Sequence, residues 1–479
     1  MPLPYPPGPP GLPVLGVAFG ALSDPIGLFC RSAREHGDVV GFRMLHMRYV
    51  LVNEPEAIRH VLVENAKAYQ KSRNYAGLKL LLGEGLLTSE GETWRKQRRL
   101  AQPAFHRERI ASFVDAMASC TADMLGRWHE DVRAKATVVD VHREMMRLTF
   151  RVVGKTLLSQ ELDGDASAIG EALSVGLRWA NAYAESLLPL PPAIPTPANL
   201  RMHRAARTFD DLVKRLIAER RREGAGAHND LLSMLLEARD EETGERMTDQ
   251  HLRDELITMV AAGHETTANA LSFALYLLSK HPDWLRAVRK EADDVLGDRA
   301  PRFEDVRRLT TTAMVVEETL RLYPPAWMFE RQAQEDDVIA GYGIPRDTVV
   351  GISPFVLHRS PALWENPEGF DPLRFSPEAK EARHKYAYLP FGGGPRTCIG
   401  NVFAMTEATV VLAMIVRSFR LELLPGHVLE LDPLITLRPK GALPMRICTH
   451  DEKPAARGHF AGCESSSRKA ASVDVRPLG

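Results

Sequence analysis

The sequence predicts one large, mainly α-helical domain with minor β structure. The pattern from about Pro55 to Gly297 is mostly helical, and the strand-like segments are short and few. A chain of 479 residues exceeds the usual ~150 residues of a domain. However, neither irregular segment, 187–197 or 222–229, is long enough to mark a boundary. We therefore expect a single domain over residues 1–450.

The elements of the amino-terminal part begin with a proline-rich lead over residues 1–20. Gly41 to Val52 alternates apolar and polar residues, as a strand pair does. The clearest helix is predicted from about Thr248, a capping residue, to Lys280, before a proline. Its roughly 30 residues would span about 45 Å, so this helix must cross the body of the domain.

The carboxy-terminal part begins with a second strong helix, predicted from Thr310 to Tyr323 and ended by two prolines. Short strands follow from Val338 to Pro354, with glycines as turn markers. The segment from Asp451 to Gly479 is polar, has little to bury and is predicted to be disordered.

The composition excludes several classes of protein. The 61 basic and 62 acidic side chains give a net charge of −1, which does not favour a nucleic-acid partner. Five cysteines without a C-x-x-C argue against disulfides, zinc ribbons and iron–sulfur clusters. Residues 1–20 lack the features of a secretory signal, and no segment reaches the ~18 apolar residues of a membrane span. We expect a soluble, cytoplasmic monomer without a transmembrane anchor.

Several motifs of common enzymes are incomplete. His264-Glu265-Thr266-Thr267-Ala268 has Ala268 where a zinc protease needs its second histidine. The three glycines from Gly392 lack the third glycine of a dinucleotide fingerprint. Neither a phosphate-binding loop nor a G-x-S-x-G elbow is present. Hydride transfer, phosphoryl transfer and serine hydrolysis therefore lack support.

The most informative segment is Phe391 to Gly400, with the sequence FGGGPRTCIG. A metal-ligating thiolate needs close backbone approach, nearby N–H groups and protection from solvent. The glycines around Cys398 permit that approach, Phe391 can shield the sulfur, and Arg396 can meet an anionic group of a cofactor. The alternative for a lone cysteine is a small buried hydrophobe.

Three further patterns each allow two interpretations. In Ala262 to Thr267, a glycine and threonine hydroxyls can loosen the long helix and make room for a cofactor, or simply pack a buried helix. Glu318 and Arg321 share a helix face, as an exposed ion pair or as a buried one with further hydrogen bonds. Trp94 and Arg98 are one turn apart, which also suits a surface cation–π pair.

Together these segments resemble the cytochrome P450 family, over about residues 5 to 450. The resemblance implies haem b with the Cys398 thiolate as axial ligand. It implies that Glu265 and Thr266 deliver protons during oxygen activation, and that Glu318, Arg321 and Arg374 hold the cysteine loop. The other implied cofactor contacts are Trp94, Arg98, Arg331, Phe391, Arg396, Ala262 and Gly400.

The implied function is a haem-thiolate monooxygenase that inserts one atom of O₂ into an apolar small molecule, by hydroxylation or epoxidation. Fatty-acid-like or terpenoid substrates are favoured, and a separate ferredoxin or flavodoxin with its reductase supplies electrons. The chain resembles a stand-alone bacterial member. A peroxide-driven peroxygenase and a non-catalytic haem sensor or carrier are the alternatives. The implied substrate contacts are Thr258, Ala261, Ala262, Pro325, Ala326, Met328, Leu434 and Ile435.

Overall fold

Helices make up most of the chain in the computed structural model. It describes residues 3–451, except residues 46, 161–165, 187–189, 225–227, 229 and 241. The α-helices of this part are α1 Ala18–Ser23, α2 Pro25–His36, α3 Pro55–Arg59, α4 Ala76–Leu82, α5 Gly91–Ala101, α6 Arg107–Arg133, α7 Val141–Leu158, α8 Ala166–Glu185, α9 Pro197–Glu223, α10 Leu231–Glu237, α11 Asp249–Lys280, α12 Pro282–Leu296, α13 Phe303–Val306, α14 Thr310–Leu322, α15 Pro354–Leu357, α16 Pro377–Ala382 and α17 Asn401–Ser418.

Short strands form small sheets at the edges of the helices. They are β1 Val39–Met44, β2 Met47–Val52, β3 Tyr69–Gln70, β4 Val138–Asp140, β5 Phe329–Ala333, β6 Asp337–Ile339, β7 Tyr342–Ile344, β8 Val349–Ile352, β9 Arg420–Leu423, β10 Leu431–Pro433, β11 Leu437–Pro439 and β12 Pro444–Cys448. One sheet has the order β1-β2-β8-β5-β3 and another β4-β12-β9, while β6–β7 and β10–β11 are hairpins. The mainly α fold with minor β structure is confirmed.

Most of the predicted elements are present, with shifted ends. The side chain of Thr248 caps α11 by accepting the His251 N–H at 3.2 Å, as predicted. The predicted strand pair corresponds to β1 and β2, which pair from Val39–Val52 to Met44–Met47. The strands predicted from residue 338 onwards are preceded by β5, which the sequence reasoning missed.

The two irregular segments are only partly as predicted. The second irregular segment, 222–229, is predicted to begin at Arg222, but α9 extends into it as far as Glu223. Gly224 then ends the helix with a φ of +87°, which favours glycine. Part of each segment, and the predicted disordered tail beyond Asp451, lie outside the described residues. The single domain over residues 1–450 stays a prediction.

The long helix α11 runs through the core. Its contacts are made mainly with α7, α14 and α17, and most of its residues are buried. Helix α17, which follows the cysteine loop, packs against α6, α11 and α12. By length and composition α17 is the one described helix apolar enough to span a membrane, but it is mostly buried, as core helices are. These two helices position the candidate site.

Candidate active site

The loop from Phe391 to Gly400 is shaped by its glycines and ends where α17 begins. Gly394 has a φ of +68°, and a Cβ there would lie 2.1 Å from the Leu62 carbonyl oxygen, so only glycine fits. The Cys398 N–H donates to the Phe391 carbonyl at 2.9 Å. The loop therefore holds the cysteine at a fixed place before the amino terminus of α17.

Cys398 is exposed, in a loop whose other residues are half-buried or exposed. Protein atoms nevertheless surround its thiol closely. Burial raises the pKa of the thiol, while the Gly400 N–H and the Arg98 guanidinium act against that rise. Arg98 also donates from Nη1 to the Thr397 carbonyl at 2.9 Å, which ties α5 to the loop. A bound metal cation would favour the thiolate, the form of cysteine that ligates metals.

A bare patch interrupts the otherwise buried surface of α11. Ala262 is exposed in the middle of this helix, and Gly263 is half-buried with only a Val153 methyl group close to its missing Cβ, at 3.3 Å. The Thr266 hydroxyl donates to the Ala262 carbonyl at 2.7 Å, a local bond of the kind that loosens helices. The structure thus leaves space along one turn of α11.

Helix α11 and the cysteine loop adjoin one apolar cluster. Ala261, which precedes the bare patch, belongs to this cluster, and Ile399, which follows Cys398, packs against it. The bare patch and the cysteine are therefore each one residue away from side chains associated with the same cluster.

Positive charge is in excess next to this region. Glu90 pairs with Arg396 and accepts the Lys71 N–H at 2.8 Å, and the buried Arg331 is near both cations. Burial and the two guanidinium groups lower the pKa of Lys71 well below its usual range. Burial lowers the pKa of Arg396 to about 10. Three cations around one carboxylate suit a ligand that carries further carboxylates.

The two α5 residues have separate surroundings. The guanidinium of Arg396 lies over the Trp94 ring, 4.3 Å from its centroid. Arg98 faces Thr397 and Cys398 instead. The surface cation–π pair that the spacing of Trp94 and Arg98 allowed is not formed among the described residues.

A thiol, a bare helix patch and an excess of cations fit a flat, metal-containing cofactor with acidic substituents. Haem has this shape and carries two carboxylates. Cys398 would ligate its iron, and Arg331, Arg396 and Lys71 would meet its carboxylates. The residues present therefore fit haem, on observations that do not depend on the sequence resemblance.

Glu318 and Arg321 form a completely buried ion pair. Arg321 donates to both oxygens of Glu318, at 2.7 and 2.8 Å, and its other hydrogen bonds go to backbone carbonyls of residues 358, 367 and 369. Arg374 Nε lies 3.6 Å from the same carboxylate. The exposed interpretation of this pair is therefore wrong, and the additional hydrogen bonds are those that a buried pair needs.

A histidine connects this network to the cysteine loop. His358 is fully buried, and its Nε2 accepts the Leu389 N–H at 2.8 Å, two residues before Phe391. Burial and the Arg321 guanidinium hold the pKa of His358 well below its usual range, so the ring is neutral and can accept. The network thus anchors the start of the loop.

Glu265 and Thr266 have different partners. Glu265 is buried, and its Oε1 accepts the Thr436 hydroxyl at 2.6 Å and lies 3.9 Å from Arg438. Burial raises the pKa of Glu265, and Thr436 and Arg438 oppose the rise. Thr266 instead binds its own helix, at Ala262. The acid is therefore held by the β10–β11 hairpin, and the alcohol faces the bare patch.

Residues of the implied substrate wall come from three separate segments. The loop after α14 is joined to the β10–β11 hairpin by two hydrogen bonds, Leu437 N–H to the Pro325 carbonyl at 2.8 Å and Trp327 Nε1 to the Leu434 carbonyl at 2.7 Å. These two bonds join the segment that carries Pro325 and Ala326 to the hairpin that carries Leu434 and Ile435, whereas the Met328 sulfur accepts the Tyr49 hydroxyl at 3.0 Å.

The third segment of the wall lies on α11. Thr258 and Ala261 are buried, whereas Ala262 is exposed. A Cβ at Gly85 would lie 2.1 Å from the Thr258 hydroxyl, so the segment between α4 and α5 covers this residue. Thr258 is therefore covered by the segment between α4 and α5.

Sequence reasoning missed five residues in or near the site. Lys71 and Glu90 belong to no recognisable motif, and only their meeting with Arg331 and Arg396 reveals them. Thr436 lies 171 residues after Glu265, in a turn with no signature. The apolar residues Leu86 and Leu87, next to the α11 cluster, were also not expected.

Comparison with known proteins agrees with this geometry. The family model "Cytochrome P450" matches residues 6–443. Cyclooctatin synthase of Streptomyces melanosporofaciens is 40% identical over 432 residues, 90% of this chain and 92% of that protein. Cyclooctat-9-en-7-ol 5-monooxygenase of the same organism is 37% identical over 88% of this chain and 90% of its own. Pentalenene oxygenase of Streptomyces avermitilis is 34% identical over 87% and 91%.

Proposed function

Since the chain belongs to the cytochrome P450 family, we propose that it oxygenates a terpenoid in the space between Cys398 and helix α11. As a member of this family it is a monooxygenase that holds haem through a cysteine thiolate. Two of its relatives are named for oxidation of cyclooctat-9-en-7-ol and of pentalenene. The single observation that supports the site is the exposed Ala262, whose neighbour Ala261 belongs to the apolar cluster against which Ile399, next to Cys398, packs.

The bound haem would supply oxygen activation, and the protein would supply everything around it. Cys398 would ligate the haem iron through its thiolate and donate electron density to it. Arg331, Arg396 and Lys71 would bind the haem carboxylates, and the network of Glu318 and Arg321 would keep the loop rigid. These roles for individual residues are proposals, which rest on the contacts described above.

Glu265 and Thr266 would handle protons at the face of α11. A buried carboxyl with a raised pKa exchanges protons near neutral pH more readily than an ordinary one. The Thr266 hydroxyl faces the bare patch and can hold a water or an oxygen species in place. The apolar wall of Pro325, Ala326 and Ile435 would bind hydrocarbon by exclusion of water.

Electrons would come from a ferredoxin or flavodoxin with its reductase, since family members of this kind use separate redox partners. A peroxygenase would instead accept hydrogen peroxide directly, and a sensor or carrier would bind haem without turnover. The acid and alcohol of α11 favour the monooxygenase, because peroxygenases usually lack this pair and a sensor or carrier needs no proton delivery.

The test is turnover by the haem-loaded protein with a ferredoxin, its reductase and NADPH. We expect pentalenene or cyclooctat-9-en-7-ol to shift the spin state of the haem and to gain one oxygen atom by mass, whereas a fatty acid of similar size gives less of both. Product with hydrogen peroxide alone would identify a peroxygenase. Haem binding without product in any arm would identify a carrier and contradict the proposal.

A further inference from the structure

Glu265 ends a chain of three side-chain hydrogen bonds that joins α7, α11 and the β10–β11 hairpin. Thr436 Oγ1 donates to Glu265 Oε1 at 2.6 Å. Asn269 Nδ2 donates to the same Thr436 oxygen at 3.4 Å. His142 Nε2 lies 3.0 Å from Asn269 Oδ1. Because an amide oxygen only accepts, His142 must carry its hydrogen on Nε2.

All donors in this chain point towards the carboxyl group. Asn269 is completely buried on α11, one helical turn after Glu265, so both side chains lie on the same face of the helix. Thr436 lies in the turn of the hairpin, between β10 and β11, and is half-buried. The chain therefore runs from a core amide to the hydroxyl of a half-buried residue.

Charged groups surround the carboxyl on the hairpin side. Arg438 Nη1 lies 3.9 Å from Glu265 Oε1 and its Nε is 3.0 Å from Asp432. Arg178 of α8 also acts on Glu265 from a greater distance. The charges of Arg438 and Asp432 compensate each other. Among the described residues, the bond from Thr436 is the short hydrogen bond to the Glu265 carboxylate.

We propose that Thr436, oriented by Asn269 and His142, positions Glu265 and passes protons to it from solvent. The inference rests on the proposed function of Glu265. Thr436 gives its hydroxyl proton to the carboxylate and receives one from a hydrated proton of the solvent at the half-buried turn, which leaves neutral water and restores the hydroxyl. An amide does not release a proton at neutral pH, so Asn269 and His142 orient the hydroxyl without relaying protons.

The position of Thr436 also connects proton delivery to the substrate wall. It follows directly after Leu434 and Ile435, two of the implied substrate contacts. The Leu434 carbonyl is fixed by Trp327 Nε1 at 2.7 Å, which holds the turn in place. A substrate that contacts Leu434 or Ile435 therefore contacts residues adjacent to Thr436, the hydrogen-bond partner of Glu265.

The purely structural alternative is that Thr436 pins the hairpin to α11. Thr436→Val removes the hydroxyl at nearly constant shape, and Thr436→Ser keeps it. Thr121→Val is the control, since Thr121 is a buried threonine of α6 whose hydroxyl binds only its own helix, at Met117. A structural role predicts a lower melting temperature for Thr436→Val and an unchanged ratio of product to NADPH consumed.

The first measurement is independent of turnover. The carboxyl C=O band of Glu265, assigned by its loss in Glu265→Gln, is followed by infrared spectroscopy against pH. Because a donated hydrogen bond stabilises the carboxylate, Thr436→Val should raise the pKa of Glu265 by about one unit, and Thr436→Ser should restore it. A pKa unchanged in Thr436→Val would overturn the proposal, whatever the substrate is.

The second measurement is product formed per NADPH consumed by the haem-loaded protein, with the solvent deuterium isotope effect on NADPH consumption. Thr436→Val should lower the product ratio about fivefold and increase the isotope effect, while Thr436→Ser stays within about twofold of the wild type. Equal changes in Thr121→Val would show a general packing effect and overturn the proposal. Failure of the proposed function would appear differently, as no product from the wild type.

Discussion

The ion pair behind the cysteine loop and the long helix α11 differ in how fully their buried polar groups are hydrogen-bonded. Arg321 makes its hydrogen bonds to Glu318 and to three backbone carbonyls. Among the described residues of α11, three buried polar atoms have no hydrogen-bond partner: Glu255 Oε1, Thr258 Oγ1 and His264 Nδ1. Arg374 Nε, beside Glu318, is unpaired as well. Unpaired buried groups cost stability and are rare, so the comparison sets a satisfied ion pair against a helix that carries several unpaired atoms.

The largest effect is expected from the cysteine of the loop. Cys398→Ser should abolish monooxygenase activity, because an alcohol does not replace a thiolate as an axial ligand. The reduced, CO-bound protein should lose the far red-shifted Soret band of a thiolate–haem complex. Cys30→Ser is the control, since Cys30 lies in α2. If Cys398→Ser kept that band, the assignment of the ligand would be wrong.

The second effect concerns the buried pair that anchors the loop. Arg321→Ala leaves the Glu318 carboxylate buried without its partner, which should destabilise the fold by about 3–5 kcal/mol. Chemical denaturation and haem content measure the loss. Arg59→Ala breaks a Glu–Arg pair of the same i,i+3 spacing on the surface. It should leave both quantities unchanged within error. Equal losses in both variants would remove the special role of the buried pair.

These two sides also differ in how well the sequence predicts them. The cysteine loop is contiguous, and Glu318 and Arg321 are one helical turn apart, so local patterns are sufficient to find them. The cation Lys71 and the partner Thr436 act through contacts between distant segments, and neither residue type is distinctive. The bare patch at Ala262 was expected only because the motif resembled a known family; its exposure follows from packing that no local pattern contains.

The third prediction tests what the burial of Glu255, one of the α11 residues with an unpaired polar atom, costs in free energy of folding. Burial raises the pKa of Glu255 to about 8, with Asp254 contributing, although the Leu86 N–H opposes the rise. The folded protein therefore holds a proton that the unfolded chain releases near its ordinary pKa. Stability should fall by about 3 kcal/mol between about pH 5.5 and about pH 8, and change little above that.

Urea denaturation at several pH values measures this dependence. Glu255→Gln should remove its share of about 3 kcal/mol, because an amide does not titrate, while Glu35→Gln at an exposed position of α2 should retain it. Other buried carboxyls with raised pKa, such as Glu265, keep their own share in both variants. A dependence as large in Glu255→Gln as in the wild type would contradict the assignment to Glu255.

The smallest effect on the fold, and the most specific one on chemistry, is expected at Thr266. Its hydroxyl binds the Ala262 carbonyl at 2.7 Å, a local bond that contributes little to helix stability. Thr266→Ala should therefore leave the melting temperature and the CO spectrum unchanged. NADPH consumption should stay within about tenfold, because proton delivery and not electron entry is disturbed. Most of the electrons should then appear as hydrogen peroxide and not as product.

Thr267→Ala is the matched control for this prediction. Thr267 is the next residue of α11, is buried and faces Glu407 of α17, away from the bare patch. It should lose some stability and keep the ratio of product to NADPH, the reverse of the Thr266 variant. An unchanged ratio in Thr266→Ala would show that this threonine only packs the helix. Proton delivery from α11 would then depend on the carboxyl group of Glu265 alone.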